Sequence, residues 1–120
     1  MAIVAVIGAS ANEERYANKA MKMLAEHRHT PIPIAPTNQA ILGRAVYQTL
    51  ADVPQPIDTV TVYLSPKRQE TLLDQVLAAH PRRVIFNPGT ENPPIYDALK
   101  NGGIDVVEAC TLVLLRTGQF

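Results

Sequence analysis

The sequence predicts an α/β fold, a doubly wound, mostly parallel sheet of about five strands with helices on both faces, formed by residues 1–120 as one domain. Three observations predict it. Short runs rich in valine and isoleucine alternate along the chain with stretches of helical periodicity. The connections between them are mostly short. The first run, Ala2–Ile7, is continuously apolar, the mark of a strand buried on both faces.

That first strand ends at Gly8. From Tyr16 the period changes: Ala17, Ala20, Met21, Leu24 and Ala25 fall at helical spacing, with Lys19, Lys22 and Glu26 largely off the stripe. The helix is expected to end near His27 or Arg28, where basic side chains suit the negative end of the helix dipole. In TPIPIAP a second strand is expected around Ile32–Ala35, its prolines marking strand ends or positions with little need for an amide donor. Pro36–Ile57 is less regular, with a short edge strand expected at Ala45–Tyr47 and a turn of helix plus linker in LADVPQP. A connection this long in a small domain marks a functional loop or unrecognised structure.

Thr59–Leu64 reads as a third strand. Ser65 and Pro66 then supply the cap and first-turn proline of a second helix. Its apolar stripe is Leu72, Leu73, Val76 and Leu77, and Pro81 stops it. Arg83–Phe86 is the fourth strand. NPGTENPP is a turn feeding a short helix, Pro93–Asn101, closed by Gly102 in left-handed geometry. Ile104–Val107 is the last strand, and Cys110–Leu115 a terminal turn or helix. The right-handed crossover rule turns this alternation into a Rossmann-like topology.

Composition removes several function classes. Eleven basic residues balance eleven acidic ones, so the charge footprint of a nucleic-acid or membrane-surface binder is absent. One cysteine, Cys110, excludes an internal disulfide and a multi-thiolate metal site. The N-terminal apolar run is too short to cross a bilayer. The expected location is the cytoplasm.

In such sheets ligands bind beyond the carboxyl ends of the strands, where strand order reverses. The loops Gly8–Arg15, Ala35–Asn38, Leu64–Lys67 and Asn87–Asn92 share that edge. A dinucleotide fingerprint needs three glycines, for the turn, the pyrophosphate approach and helix packing. Here only Gly8 is present, and Glu13 stands at the third position. Nor does Ala35-Pro36-Thr37-Asn38 supply the acid that takes the ribose hydroxyls of NAD. The loop keeps features suited to phosphate: the amides of Gly8, Ala9 and Ser10, the Ser10 hydroxyl, and Arg15 and Lys19. The competing reading has Ser10 and Asn12 capping a turn and Arg15 as a solvated charge.

Taken together, VIGASANEERYANKAMKML, PIPIAP, ILGRAVYQTLADVP, VTVYLSP and NPGTEN resemble the small CoA-binding proteins, relatives of the nucleotide-binding domain of the succinyl-CoA synthetase α subunit. The resemblance spans about Ile3 to Thr111 and implies a Rossmann-like sheet that binds coenzyme A or an acyl-CoA. It implies that Gly8, Ala9, Ser10 and Arg15 cradle the CoA phosphates, and that Ala35, Pro36 and Thr37 border the adenosine. It further implicates Gly43 and Arg44 in the following loop, and Tyr63, Leu64 and Ser65 as a wall over adenine or pyrophosphate. Asn87, Pro88, Gly89, Glu91 and Asn92 match the segment along which the pantetheine arm runs. One departure stands out: Thr37-Asn38-Gln39 lacks the basic residue that relatives often place there for the ribose 3′-phosphate. Arg44 or Arg15 would have to serve, or the ligand is another adenine nucleotide.

No catalytic constellation is evident. The phosphohistidine domain of the synthetase has no counterpart in these residues. His27, His29 and His80 fall at helix ends on the far edge of the sheet and make no metal spacing. Glu91 lacks a nucleophile or second carboxylate beside it and reads as a turn or helix-start residue. Cys110 reads as a buried small hydrophobe; the sharper alternative pairs it with the pantetheine thiol in a mixed disulfide. The expected function is non-catalytic binding of CoA or acyl-CoA, as a sensor, carrier or regulatory module. The alternatives are a CoA-dependent enzyme component needing a partner chain, or a binder of NAD or AMP. The apolar tail Leu112–Leu115 serves equally to finish the core or to close a homodimer, and an unidentified protein partner stays open.

Overall fold

The computed structural model describes residues 1–120. Five strands, β1 (Ile3–Ile7), β2 (Thr30–Ile34), β3 (Thr59–Val62), β4 (Arg83–Phe86) and β5 (Asp105–Glu108), pair in parallel in the order β2-β1-β3-β4-β5. Four α-helices cover the sheet: α1 (Tyr16–Glu26), α2 (Leu72–Ala79), α3 (Tyr96–Asn101) and α4 (Thr111–Arg116). The predicted doubly wound α/β fold is the observed one. No helix is long and apolar enough to cross a membrane.

The two-residue period of the strands divides the core. Ala5, Ile7, Val60, Val62, Val84 and Phe86 face Leu72 and Val76 of α2 and Leu99 of α3. Val4 and Val6 face the other way, onto Ala17, Met21 and Leu24 of α1 and Leu115 of α4. That two-sided demand explains why β1 is apolar without alternation. Leu112 and Leu115 are both buried, so the C-terminal helix finishes the core on this side.

β2 begins at Thr30, earlier than expected, and takes both prolines into an edge strand. The Thr30 amide donates to the Ala2 carbonyl at 2.9 Å, so alternate residues Pro31 and Pro33 turn their nitrogens away from β1. On that outer side Tyr47 donates to the Pro33 carbonyl at 3.1 Å, and Ala35 donates back to Tyr47 at 3.0 Å. The strand expected at Ala45–Tyr47 is therefore reduced to one bridge, Ile34 with Tyr47. Two prolines leave no further donors on which a ladder could grow.

Two further expectations change. Ser65 and Pro66 open a 3₁₀ turn, Pro66–Arg68, and α2 begins separately at Leu72. The break coincides with Gln69, whose side chain turns inward instead of continuing a solvated helix face. At the end of α3 it is Gly103, at φ +81°, that takes the left-handed position, while Gly102 sits at φ −80°. Gly102 is closely packed: a Cβ there would lie 2.8 Å from Leu77 Cδ2, so the end of that side chain would have to shift. The helix expected over Pro93–Asn101 likewise starts as a 3₁₀ turn, Pro93–Ile95, because the two prolines bring no amides.

Strand order reverses between β1 and β3, with β2 on one side and β3 to β5 on the other. The carboxyl ends of β1 and β3 thus form the switch point of the sheet.

Candidate ligand-binding site

At the end of β1 the chain turns through Gly8, which adopts φ +85°. A Cβ on Gly8 would lie 3.0 Å from the Tyr63 carbonyl carbon and oxygen and 3.0 Å from Leu64 Cδ2. One glycine therefore satisfies two demands, a left-handed turn and the close approach of β3. The amides of Gly8 and Ala9 both donate to the Ile34 carbonyl, at 3.1 and 3.2 Å. They close the end of β2, which corrects the expectation that these two amides point at a phosphate. An edge strand ending beside a tight turn needs donors for its last carbonyl, and these are the nearest.

The amides without a protein acceptor come just after: Ser10, Ala11 and Glu13 in the loop, then Tyr16 and Ala17 in the first turn of α1. Ser10 Oγ accepts from the Asn12 amide at 3.1 Å, and Asn12 Oδ1 accepts from Glu14 at 3.0 Å. Those contacts are the turn-capping role considered for Ser10 and Asn12. Buried Asn18 holds the loop against α1 by donating to the Ser10 carbonyl at 2.9 Å.

Beyond the loop lies a cleft of about 580 Å³, which brings together Gly8, Ala9, Ser10, Arg15, Pro36, Tyr63, Leu64, Ser65, Pro88 and Gly89. Ala35 and Thr37 line an adjoining recess of about 280 Å³ at the end of β2, shared with Ala9, Ser10 and Pro36. Both volumes fall within or close to the range of about 300–1,000 Å³ usual for small-ligand sites. Gly43 and Arg44 line neither space. They form a tight turn in which the Ile41 and Arg44 backbones pair at 2.9 and 3.1 Å.

Asn87, Glu91 and Asn92 do not line the cleft either. Asn87 is buried; its Nδ2 donates to Thr61 Oγ1 at 2.7 Å and the Val62 carbonyl at 2.9 Å, and its Oδ1 accepts from the Thr111 amide at 2.8 Å. Glu91 Oε1 accepts from the Gly89 amide at 2.8 Å, the turn-bonding role preferred for it. Asn92 Nδ2 donates to Gln69 Oε1 at 3.1 Å. Gln69 in turn donates from Nε2 to the carbonyls of Leu64, at 2.8 Å, and Thr90, at 2.7 Å. This buried amide ties the loop after β3 to the loop after β4 and fixes the spacing of the wall.

Reasoning from sequence missed Gln69, because a glutamine between Arg68 and Glu70 reads as solvated surface. It also missed Arg68 and Tyr16, which both line the cleft. The signal for Arg68 was available: a basic residue a few positions beyond a strand end on the ligand edge.

The cleft's charged side chains are Glu14, Arg15 and Arg68. None of them forms an ion pair; those in the protein are Lys22 with Glu13 and Arg82 with Asp58. Tyr63 is neutral at physiological pH, its pKa pushed up to about 12 chiefly by burial. Tyr96, behind the wall, is also pushed up to about 12, by burial and by donating its hydroxyl to the Glu108 carboxylate at 2.8 Å. Neither phenol is poised as a base. The histidines lie away from the cleft: His29 accepts from the Ala2 amide at 3.0 Å, and His80 bonds the Gly102 carbonyl at 2.9 Å. Cys110 is half-buried at the start of α4 and does not line the cleft.

Residues 2–116 match the family described as the CoA binding domain. The chain belongs to this CoA-binding domain family. Among solved structures it is similar to a crystal structure described as an uncharacterized protein, at 38% identity and a TM-score of 0.93, covering 100% of this chain and 98% of that one. A protein from Thermus thermophilus matches at 29% identity and a TM-score of 0.89, over 99% and 91% of the two chains. The dinucleotide-forming acetyl-coenzyme A synthetase 1 of Ca. Korarchaeum cryptofilum shares the fold, with 17% identity, a TM-score of 0.78, and 90% of this chain against 26% of its own.

Proposed function

We propose that the protein binds coenzyme A or an acyl-CoA without transforming it, as a sensor, carrier or regulatory module. The observation that carries this reading is the cleft at the sheet's switch point, lined by unpaired Arg15 and Arg68 together with Ser10, whose amide is free, as is that of Ala11 in the adjoining recess. Those groups suit a diphosphate: amides that need no reorganisation, with cationic side chains on either side. The recess by Ala35, Pro36 and Thr37 is walled partly by apolar groups and suits the adenosine end. Pro88 and Gly89 would flank the pantetheine arm, with Asn87, Glu91 and Asn92 shaping that segment from behind. Gly43 and Arg44 belong to the turn outside the recess and are left out of this reading of the site.

In this reading CoA supplies a thiol or thioester that the protein holds and presents. The chain's own residues bind and orient. The single cysteine and the balanced charge support a cytoplasmic location for it. NAD is the weaker ligand, because Glu13 stands where a third glycine is needed and no acid follows β2.

Calorimetric titration with CoA, acetyl-CoA, NAD and ATP tests the proposal. Saturable binding of CoA and acetyl-CoA at one site per chain is the expected result. Binding of NAD with no response to CoA would contradict it. Turnover of acetyl-CoA once a copurifying chain is added would favour the alternative, a component of a CoA-dependent enzyme.

A further inference from the structure

Resting on the CoA reading, we infer that Arg15 and Arg68 form a clamp for the ligand's diphosphate, and that the site does not select for the ribose 3′-phosphate. Arg15 caps the start of α1, beyond β1, and Arg68 ends the 3₁₀ turn beyond β3. They come from the two strand ends that define the switch point and line one cleft between them. Both are exposed and neither is paired with an acid, so both are available to an anion. Glu14 is the one acid lining the cleft, leaving a surplus of positive charge there.

The recess at the end of β2 is different in kind. Its lining, which includes Ser10, Thr37 and Gln39, contains no charged side chain. Arg44, the other cation expected to serve a 3′-phosphate, lies outside both spaces. The protein thus concentrates its charge on the part of the ligand that CoA shares with dephospho-CoA. A dianion on the ribose would meet hydroxyls, amides and solvent, which discriminate weakly compared with a guanidinium.

The test is calorimetry with CoA and dephospho-CoA on the wild type, Arg68→Gln, Arg15→Gln and the remote control Arg116→Gln, each checked for an unchanged thermal midpoint. The wild type is expected to bind the two ligands within about threefold of each other, a difference of well under 1.4 kcal/mol. Each cleft variant is expected to weaken both ligands in the same proportion, by about tenfold, as for loss of one charge-assisted contact. Arg116→Gln leaves both unchanged. A wild type that prefers CoA by about tenfold or more overturns the lack of 3′-phosphate selection, and an Arg68→Gln or Arg15→Gln variant that binds both ligands as before overturns the clamp; either result leaves the CoA reading intact. A wild type that binds neither ligand overturns the CoA reading itself, and the clamp with it.

Discussion

The backbone of Gly8 packs against that of Tyr63 so closely that a methyl group on Gly8 would lie 3.0 Å from the Tyr63 carbonyl carbon and oxygen. This contact seats the end of β1 against the end of β3 and gives the cleft its floor. Gly8→Ala combines a left-handed φ of +85° with that clash. The expected loss is about 1–3 kcal/mol from backbone strain alone. Urea unfolding of the variant reads it, and ligand affinity falls because the two strand ends are forced apart.

Gln69 is the second fixed point. Gln69→Leu preserves the bulk but leaves the carbonyls of Leu64 and Thr90 without their donor. Each buried group left unpaired costs about 1–3 kcal/mol. Amide hydrogen exchange in the loops after β3 and β4 should rise together, because one side chain holds both.

Asn87 tests the division between wall and support. Its polar atoms bond Thr61, Val62 and Thr111, so Asn87→Ala is expected to destabilise the fold by about 3 kcal/mol, the loss of several buried partners. Where the variant stays folded at low temperature, CoA affinity should be little changed. A large affinity loss in a folded variant would return Asn87 to the list of direct contacts.

His29 gives the fold a pH dependence. Burial is the largest cause lowering its pKa below 6.5, and its Nδ1 must be unprotonated to accept from the Ala2 amide. The unfolded chain therefore takes up the proton more readily than the folded one. The stability His29 contributes is present above about pH 6.5 and is lost as pH falls through the folded-state value. Thermal midpoints measured from pH 8 to pH 5 should decline more steeply for the wild type than for His29→Gln.

The strands were legible because their apolar runs are short, β-branched and ended by glycine, proline or polar residues; β4 falls on Arg83–Phe86, the residues expected for it. What the sequence hid was the use of backbone groups. Nothing in the letters distinguishes the Gly8 and Ala9 amides, which close onto Ile34, from those of Ser10 and Ala11, which stay free. Local pattern likewise misassigned Gly102 and Gly103, because two adjacent glycines look alike in the sequence and only the second turns left-handed. Among the candidate site residues, those from Gly8 to Arg15, Ala35 to Thr37 and Tyr63 to Ser65, with Pro88 and Gly89, line the cleft or its recess, whereas Gly43, Arg44, Asn87, Glu91 and Asn92 do not. A motif match reports a segment's position along the chain, not which of its side chains face inward.

The most direct test is an amide proton–nitrogen correlation spectrum of the labelled protein titrated with CoA. The account predicts shifts concentrated at Ser10, Ala11, Arg15, Ser65, Arg68 and Gly89, around the cleft and its recess, with none at Gln55 or Ala78 in the groove on the α2 side. A spectrum unmoved by saturating CoA, or one whose shifts gather in that second groove, would contradict it.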